Sequence, residues 1–559
     1  MISTVPSYDA SMRSASLPSK SLASARRQSS LAIMLRKKSD MEIVLEGDNG
    51  VVHTYSTYDE IKGRVVLNFE KDTTIDDLTV TLEGQSATFV DRLTTLTPTT
   101  GRITGKHTFL RLQQPIEGEA LPPNRFAKAG QTYSIPFTFV VPDRLLPNAC
   151  SHAVDNEGVR HAHLYLPPSL GEPDVAGDAL KLMDDLAPEM SKISYAIHAK
   201  VAKRNLTGRA IELANRSAKI RIVPAVNELP LIHVEEDDTN YILRREKGVK
   251  KGLFKVGKIG RITAETTQPR SLRLPHVQKR SLEPASTTTT INLRFDPTSP
   301  DEQPPQLGSI TNKLRVNTFF GAAAFHCIAD IPKQNSWSAL HGHYPEVISL
   351  SSRCLSTVQW TRHDANDPHT DLRRQPSTVS TSSQSSIPEP SATYTQGSPF
   401  YTASVIVPIS LPDTYTSSRS KSFVPTFHSC IVSRIYTLEL QLSYQTPRAN
   451  IGSPSIVLKV PIQISSEGGV PPAQFQETEA NIAAEVARQF GLYQQQQLQG
   501  DGLESPRYEE MPAYSALPTT THTSLQAGAP PEYHSESDGG IIRDVVGRPR
   551  TITALVAGV

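Results

Sequence analysis

Between residue 41 and about residue 466 the chain alternates apolar and polar side chains with a period of two, and this constrains the fold more than any other feature. Successive side chains of a pleated strand point to opposite faces, whereas a helix repeats every 3.6 residues, so the alternation calls for half-buried strands. Leu78, Val80 and Leu82 share one face; Ile135, Phe137, Phe139 and Val141 repeat the pattern, as do Tyr195, Ile197, Ala199 and Val201. A second block shows it in Ile291, Leu293 and Phe295, in Val405, Val407, Ile409 and Leu411, in Leu438, Leu440 and Leu442, and in Val460, Ile462 and Ile464. Gly, Pro, Asp and Asn turns separate the runs. The expected fold is all-β, two tandem antiparallel sandwiches at 41–230 and 231–466, with one short helix from Ala179 to Met190.

Three segments fall outside that pattern. Residues 1–40 form a Ser/Ala/Arg-rich arm, 364–399 a Ser/Thr/Pro/Gln insertion in the second block, and 467–559 a polar tail with a Gln run. Each has too little apolar surface to offset the entropy of ordering its backbone, so arm, insertion and most of the tail are expected to be disordered. Arg26-Arg27-Gln28-Ser29 and Arg36-Lys37-Lys38-Ser39 have the shape of basophilic kinase sites, and Ser377 in the insertion is a third candidate for phosphorylation.

Charge and cysteine usage narrow the function. Lys and Arg total 57 against 56 acids, so the global basic field of a nucleic-acid binder is missing and no nucleic-acid partner is expected. Cys150, Cys327, Cys354 and Cys430 are far apart with no CxxC pair, and are read as buried thiols. No apolar run approaches the roughly 18 residues that span a bilayer, and the first 40 residues lack the apolar stretch of a secretory signal; a cytosolic protein is expected.

No Gly-rich phosphate loop, nucleophile elbow or HExxH occurs, so no enzyme is expected. The best metal-like constellation is Cys150, His152, His161 and His163, with Asp155 or Glu157 as carboxylate support. His161 and His163 would share a face on a strand. The spacing fits no recognised metal motif, so these histidines, like His341 and His343, are read as ordinary structural residues; metal and cofactor are both expected to be none.

The tail carries Pro530-Pro531-Glu532-Tyr533, a PPxY tetrapeptide. A proline pair presets polyproline II, so little ordering entropy is lost when the rings and the tyrosine dock in the aromatic grooves of a WW domain. Pro506 with Tyr508, and Pro512 with Tyr514, are copies that lack the first proline; several weak sites on one tail would raise effective concentration for a partner with several WW domains.

Tyr133-Ser134-Ile135-Pro136-Phe137-Thr138-Phe139-Val140-Val141-Pro142 resembles a strand of arrestin-fold proteins. Leu145-Leu146-Pro147, the stretch from Leu166 to Gly171, that from Pro188 to Tyr195, Pro305-Gln306-Leu307-Gly308, the run from Leu314 to Phe320, and that from Arg434 to Leu438 resemble fungal arrestin-like proteins, in that family's order. The family includes arrestin-related trafficking adaptors. The resemblance implies two tandem immunoglobulin-like, arrestin-fold sandwiches and a cytoplasmic adaptor, peripheral at the plasma membrane or endosomes. It implies that a WW-domain HECT-type ubiquitin ligase is held through Pro530, Pro531 and Tyr533 and brought to a membrane transporter or receptor, which is then ubiquitinated and endocytosed. A signalling scaffold of the same fold, such as that of fungal ambient-pH sensing, and a retromer-like sorting subunit are the alternatives.

A local basic run has two readings. Arg244, Arg245, Lys247, Lys250, Lys251, Lys255, Lys258 and Arg261, with Glu246 the single acid among them, either bind an anionic membrane surface or cargo, or form a solvated loop beside Glu235, Glu236, Asp237 and Asp238. Lys192, Lys200 and Lys203 are candidate ubiquitin acceptors.

Overall fold

The structure is a computed structural model that describes residues 41–469, apart from 48–52, 93–100, 117–120, 173–176, 179–180, 206, 236–237, 252–256, 277–282, 332–338, 365–386, 413–420 and 446–453. The described chain is mostly strand, with one α-helix. In the first half, β1 (Met41–Leu45), β3 (Glu60–Asn68) and β8 (Thr132–Val140) form one antiparallel sheet in the order β1-β3-β8. The facing sheet runs β2 (Thr54–Tyr55), β12 (Ala210–Ile222), β11 (Ser191–Arg204), β5 (Asp77–Arg92) and β6 (Gly101–Gln113). Small ladders join β4 (Thr73–Thr74) to β7 (Phe126–Ala127) and β9 (Gly177–Asp178) to β10 (Lys181–Leu182).

The second half repeats this layering. One sheet runs β13 (Arg244–Lys250), β14 (Lys258–Thr266), β16 (Ser286–Pro297), β20 (Phe400–Ser410) and β19 (Thr361–His363). Its companion runs β18 (His341–Cys354), β17 (Gln306–Gly321) and β22 (Val432–Gln445), with β21 (Phe427–His428) and β23 (Ser455–Ile462) sharing the far edge of β22. β15 (Leu272–Leu274) pairs in parallel with β24 (Ile464–Ser466).

The alternation in the sequence maps onto the two cores. Val80, Leu82, Ile135, Phe137, Phe139, Tyr195, Ile197 and Val201 are buried together in the first, and Leu293, Phe295, Val407, Ile409, Leu438, Leu440 and Val460 in the second. Where β3 and β8 pair, the Phe137 ring lies across the backbone of residue 63, which is glycine. A Cβ there would lie 2.5 Å from Phe137 Cζ and 2.7 Å from the Val44 carbonyl oxygen, so any side chain would displace the Phe137 ring and crowd the β1 backbone.

Two local expectations fail. No helix forms over the described part of Ala179 to Met190: β10 passes through it, and residues 184–187 make a tight turn. Asp184 Oδ1 accepts the Leu186 N–H at 2.8 Å and Asp185 Oδ1 the Ala187 N–H at 3.1 Å. Short acidic side chains bonding their own backbone compete with a helix, and Pro188 disfavours helical geometry at the residue before it. The one described α-helix, α1 (Glu157–His163), takes the place of the strand on which His161 and His163 would have shared a face. Asn156 caps it, its side chain accepting the Val159 N–H at 3.0 Å.

The insertion is also shorter than its composition implies. Residues 387–399 pack on β16: Asp296 Oδ2 accepts the Ser391 N–H at 2.7 Å, and the buried Arg294 donates to Asp296 at 2.8 Å while its guanidinium lies 4.0 Å over Phe400 and 4.6 Å over Tyr394. A buried charge pair needs such cover, and this segment supplies it.

Phe139 is fully buried, and Thr138 faces the other side of β8. Phe139→Ala should lower the stability of the first half by about 3–5 kcal/mol, read as a large fall in its unfolding midpoint. Thr138→Ala should stay within about 0.5 kcal/mol of the parent; equal effects at the two positions would contradict the strand phase.

Candidate functional site at the junction of the two halves

The two cores run into each other. Val424, Phe427, Cys430, Ile431 and Val432, from the second half, belong to the first core, while Leu186, from the first half, is buried in the second. Leu186 gets there on the turn 184–187, with its backbone in the left-handed region at φ 60°. That conformation is costly for a residue with a Cβ and persists only where the surroundings over-determine it.

Arg434 is the main restraint. Its side chain is fully buried on the same face of β22 as Tyr436 and Leu438. Nη1 donates to the Asp185 carbonyl at 2.6 Å, Nη2 to the Leu186 carbonyl at 2.9 Å, and Nε and Nη2 to Thr318 Oγ1 at 3.1 and 3.0 Å. The planar fork thus grips the turn from one side while β17 holds it from the other. At the rim Asp184 pairs with Lys421 at 2.5 Å. Burial pushes its carboxyl up, but Lys421 and the Leu186 N–H outweigh this and hold it below the usual carboxylate range. Thr88 Oγ1 donates to the Gly321 carbonyl at 2.6 Å and Arg221 Nη2 to Ser422 Oγ at 2.6 Å, adding buried bonds across the same seam.

Beside this lies a cluster of cysteine and histidine. A short 3-10 turn, Pro147–Cys150, delivers Cys150; His152 follows it; α1 ends on His163; and the turn between β21 and β22 supplies Cys430. The four ligand-type atoms lie within 4.8 Å of one another. Cys150 Sγ is 3.3 Å from His152 Nε2 and 3.7 Å from His163 Nδ1. Burial, then the neighbouring His152, push His163 down to about 3, so its ring is neutral at ordinary pH. Burial likewise holds His428 down at about 4 and His107 below its usual value. Cys430 Sγ donates to the Ala149 carbonyl at 3.7 Å; its nearness, with Arg160 assisting, brings Cys150 down to about 7 against the opposing effect of burial, while Cys430 itself is pushed up.

Of the constellation read from sequence, three members meet and one does not. His161 is on a helix rather than a strand, two residues from His163 and therefore on another face; its Nε2 lies 2.6 Å from Arg144 Nη1 and its ring packs edge-on against Tyr165. Glu157 pairs with Arg160 at 3.4 Å. Cys430, read from the sequence only as a buried thiol, was not placed in that constellation, because it is 267 residues from His163 and no local pattern joins them. The expectation of four buried thiols also holds only for Cys150 and Cys430; Cys327 and Cys354 are exposed. His343 is structural in its contacts, stacked on Phe319 at 4.8 Å with Nε2 3.0 Å from Asn317 Oδ1.

The basic run is a hairpin, not a loop. β13 and β14 pair with Lys250 opposite Lys258 and Arg244 opposite Glu265. Arg244, Arg245, Lys247, Lys250, Lys251 and Lys258 are exposed, while Val249 and Ile259 anchor the ribbon in the core. Two cations are partly neutralised, Arg261 by Glu246 and Lys251 by Glu302 at 2.8 Å. Lys255 lies outside the described residues, as do Ser29, Ser39, Ser377, Pro506, Tyr508, Pro512, Tyr514, Pro530, Pro531 and Tyr533. Lys192 is paired with the buried Glu172, and Lys200 with Glu212 at 3.2 Å. No helix of the described residues is long and apolar enough to cross a membrane. No protein-family model and no curated protein matches the chain.

Arg434→Ala would leave the Asp185 and Leu186 carbonyls buried without a donor, at about 1–3 kcal/mol for each orphaned group. The expected outcome is a loss of several kcal/mol by this count, with faster proteolysis within 184–187. Arg434→Lys, a compact ammonium without the planar fork, should recover only part. A parent-like unfolding midpoint in both variants would show that the turn is held by packing alone.

Proposed function

We propose that this chain is a non-enzymatic adaptor with two arrestin-fold sandwiches, which holds a WW-domain HECT-type ubiquitin ligase through its tail and brings it to a membrane transporter or receptor. The observation that carries the reading is the tetrapeptide Pro530, Pro531, Glu532 and Tyr533, placed in a polar tail beyond the last described strand. A short extended motif of this kind is bound by its rings and its tyrosine, and needs no fold of its own. The order of arrestin-like strand motifs and the β-sandwich-like layering of the body support the same reading. A recruiting adaptor also needs a surface for the membrane side. The exposed cations of the β13–β14 hairpin are suited to anionic headgroups, where each nearby charge contributes about 1 kcal/mol.

Tyr533→Ala in the full chain should abolish most binding to purified WW domains, measured by titration calorimetry, and leave the unfolding midpoint unchanged. Tyr508→Ala and Tyr514→Ala should cost far less. Undiminished binding by Tyr533→Ala would overturn the ligase assignment.

Charge reversal at Arg245, Lys250 and Lys258 should weaken sedimentation with vesicles containing phosphatidylserine, and the parent's own binding should fall as salt shortens the Debye length below about 8 Å. WW-domain capture should be unaffected. A triple variant that binds these vesicles as well as the parent would confine membrane recruitment to the cargo.

A further inference from the structure

Cys150, His152, His163 and Cys430 are the ligand set and the geometry of a structural zinc site, and we propose that they bind one zinc ion that ties the two halves together at their junction. The donor chemistry fits: two thiols and two imidazoles, with no carboxylate among the four, form a soft tetrahedral set.

The distances fit as well. With zinc–sulfur bonds of about 2.3 Å and zinc–nitrogen bonds of about 2.0–2.1 Å, the ligand atoms of a tetrahedral site are about 3.3–3.8 Å apart. The two described edges, Cys150 Sγ to His152 Nε2 and Cys150 Sγ to His163 Nδ1, are 3.3 and 3.7 Å. All four atoms converge within 4.8 Å, so small rotations of side chains would close the remaining edges.

The charge balance and the outer contacts agree. Zinc with two thiolates and two neutral imidazoles carries no net charge, so the site could sit between cores without a buried ion left uncompensated. His152 turns Nδ1 to the Ala153 carbonyl at 2.9 Å, which leaves Nε2 facing the cluster. Such a carbonyl contact is the usual way a metal-binding histidine is held in one tautomer. Arg160 Nη1 donates to the Cys150 carbonyl at 2.6 Å and fixes the turn that carries the first thiol. Binding takes both cysteines as thiolates, releases whatever thiol protons remain to solvent, and forms two zinc–sulfur and two zinc–nitrogen bonds, with no change of oxidation state.

Three ligands come from residues 150–163 and one from the turn before β22, three residues ahead of the strand position of Arg434's neighbour Ser433. The ion would therefore fasten the β22 end of the second half to the first half, with Cys430 four residues along the chain from Arg434.

The full chain, purified under reducing conditions without chelator, should contain about one zinc per molecule by elemental analysis. After zinc removal, titration with cobalt(II) should give the intense visible bands of a tetrahedral site and a thiolate-to-cobalt charge-transfer band. Cys430→Ser should lose the metal and the charge-transfer intensity. Should Cys430→Ser fail to fold, the parent's cobalt spectrum and His152→Ala, at a partly exposed ligand, answer the question; His152→Ala should weaken zinc affinity by more than the 10–100-fold or so that loss of an outer contact costs. His161→Ala should retain parent-like metal content. A parent that takes up neither zinc nor cobalt, metal content unchanged in Cys430→Ser and His152→Ala, or a Cys150–Cys430 disulfide in the native chain would overturn the proposal.

Discussion

The junction depends on one buried guanidinium. Arg434 has no solvent to hydrate it, and desolvating a charge costs several kcal/mol unless every donor finds an acceptor. Thr318 and the Asp185 and Leu186 carbonyls answer that need. The carbonyls are offered by a segment, 184–187, that holds Leu186 in a left-handed conformation. The same turn drives the Leu186 side chain into the second core. Arginine, turn and leucine thus form one unit, and removing any of them leaves the others in unfavourable states.

A comparable arrangement recurs at the far face of the second half. Arg294 and Asp296 project from the side of β16 opposite to Ile291, Leu293 and Phe295, and they are covered by residues 387–399 with Phe400 and Tyr394. A polar-looking segment is ordered there because it satisfies a buried ion pair, not because it has apolar surface of its own. Both cases show stability organised around charges whose partners come from distant parts of the chain.

On the proposed reading, body and tail divide the work. The sheets offer a rigid surface, including a basic hairpin anchored by Val249 and Ile259, while the tail offers a short motif that needs no fold. A metal staple at Cys150, His152, His163 and Cys430 would add rigidity at the seam between the sandwiches, where hinge motion is otherwise the default for two packed domains. Cargo and ligase would then be held by a body whose halves keep a defined relation.

Strand positions and their inward faces were legible in the sequence. The pleat has a period of two, and a strand packed on one side must repeat it, as Ile135, Phe137 and Phe139 do. Arg434 was legible in principle too, since it lies in phase with Tyr436, Leu438 and Leu440, where a charge is out of place. What tertiary structure alone decided is what these residues meet. Asp184 and Asp185 turned an expected helix into a turn because their acceptors were nearer than a helical ladder was stable, and α1 formed on one Asn cap over only seven residues. Cys430 reached Cys150, His152 and His163 from 267 residues or more further along the chain. Period and propensity are local quantities; the encounter of side chains hundreds of residues apart is set by how the sheets pack.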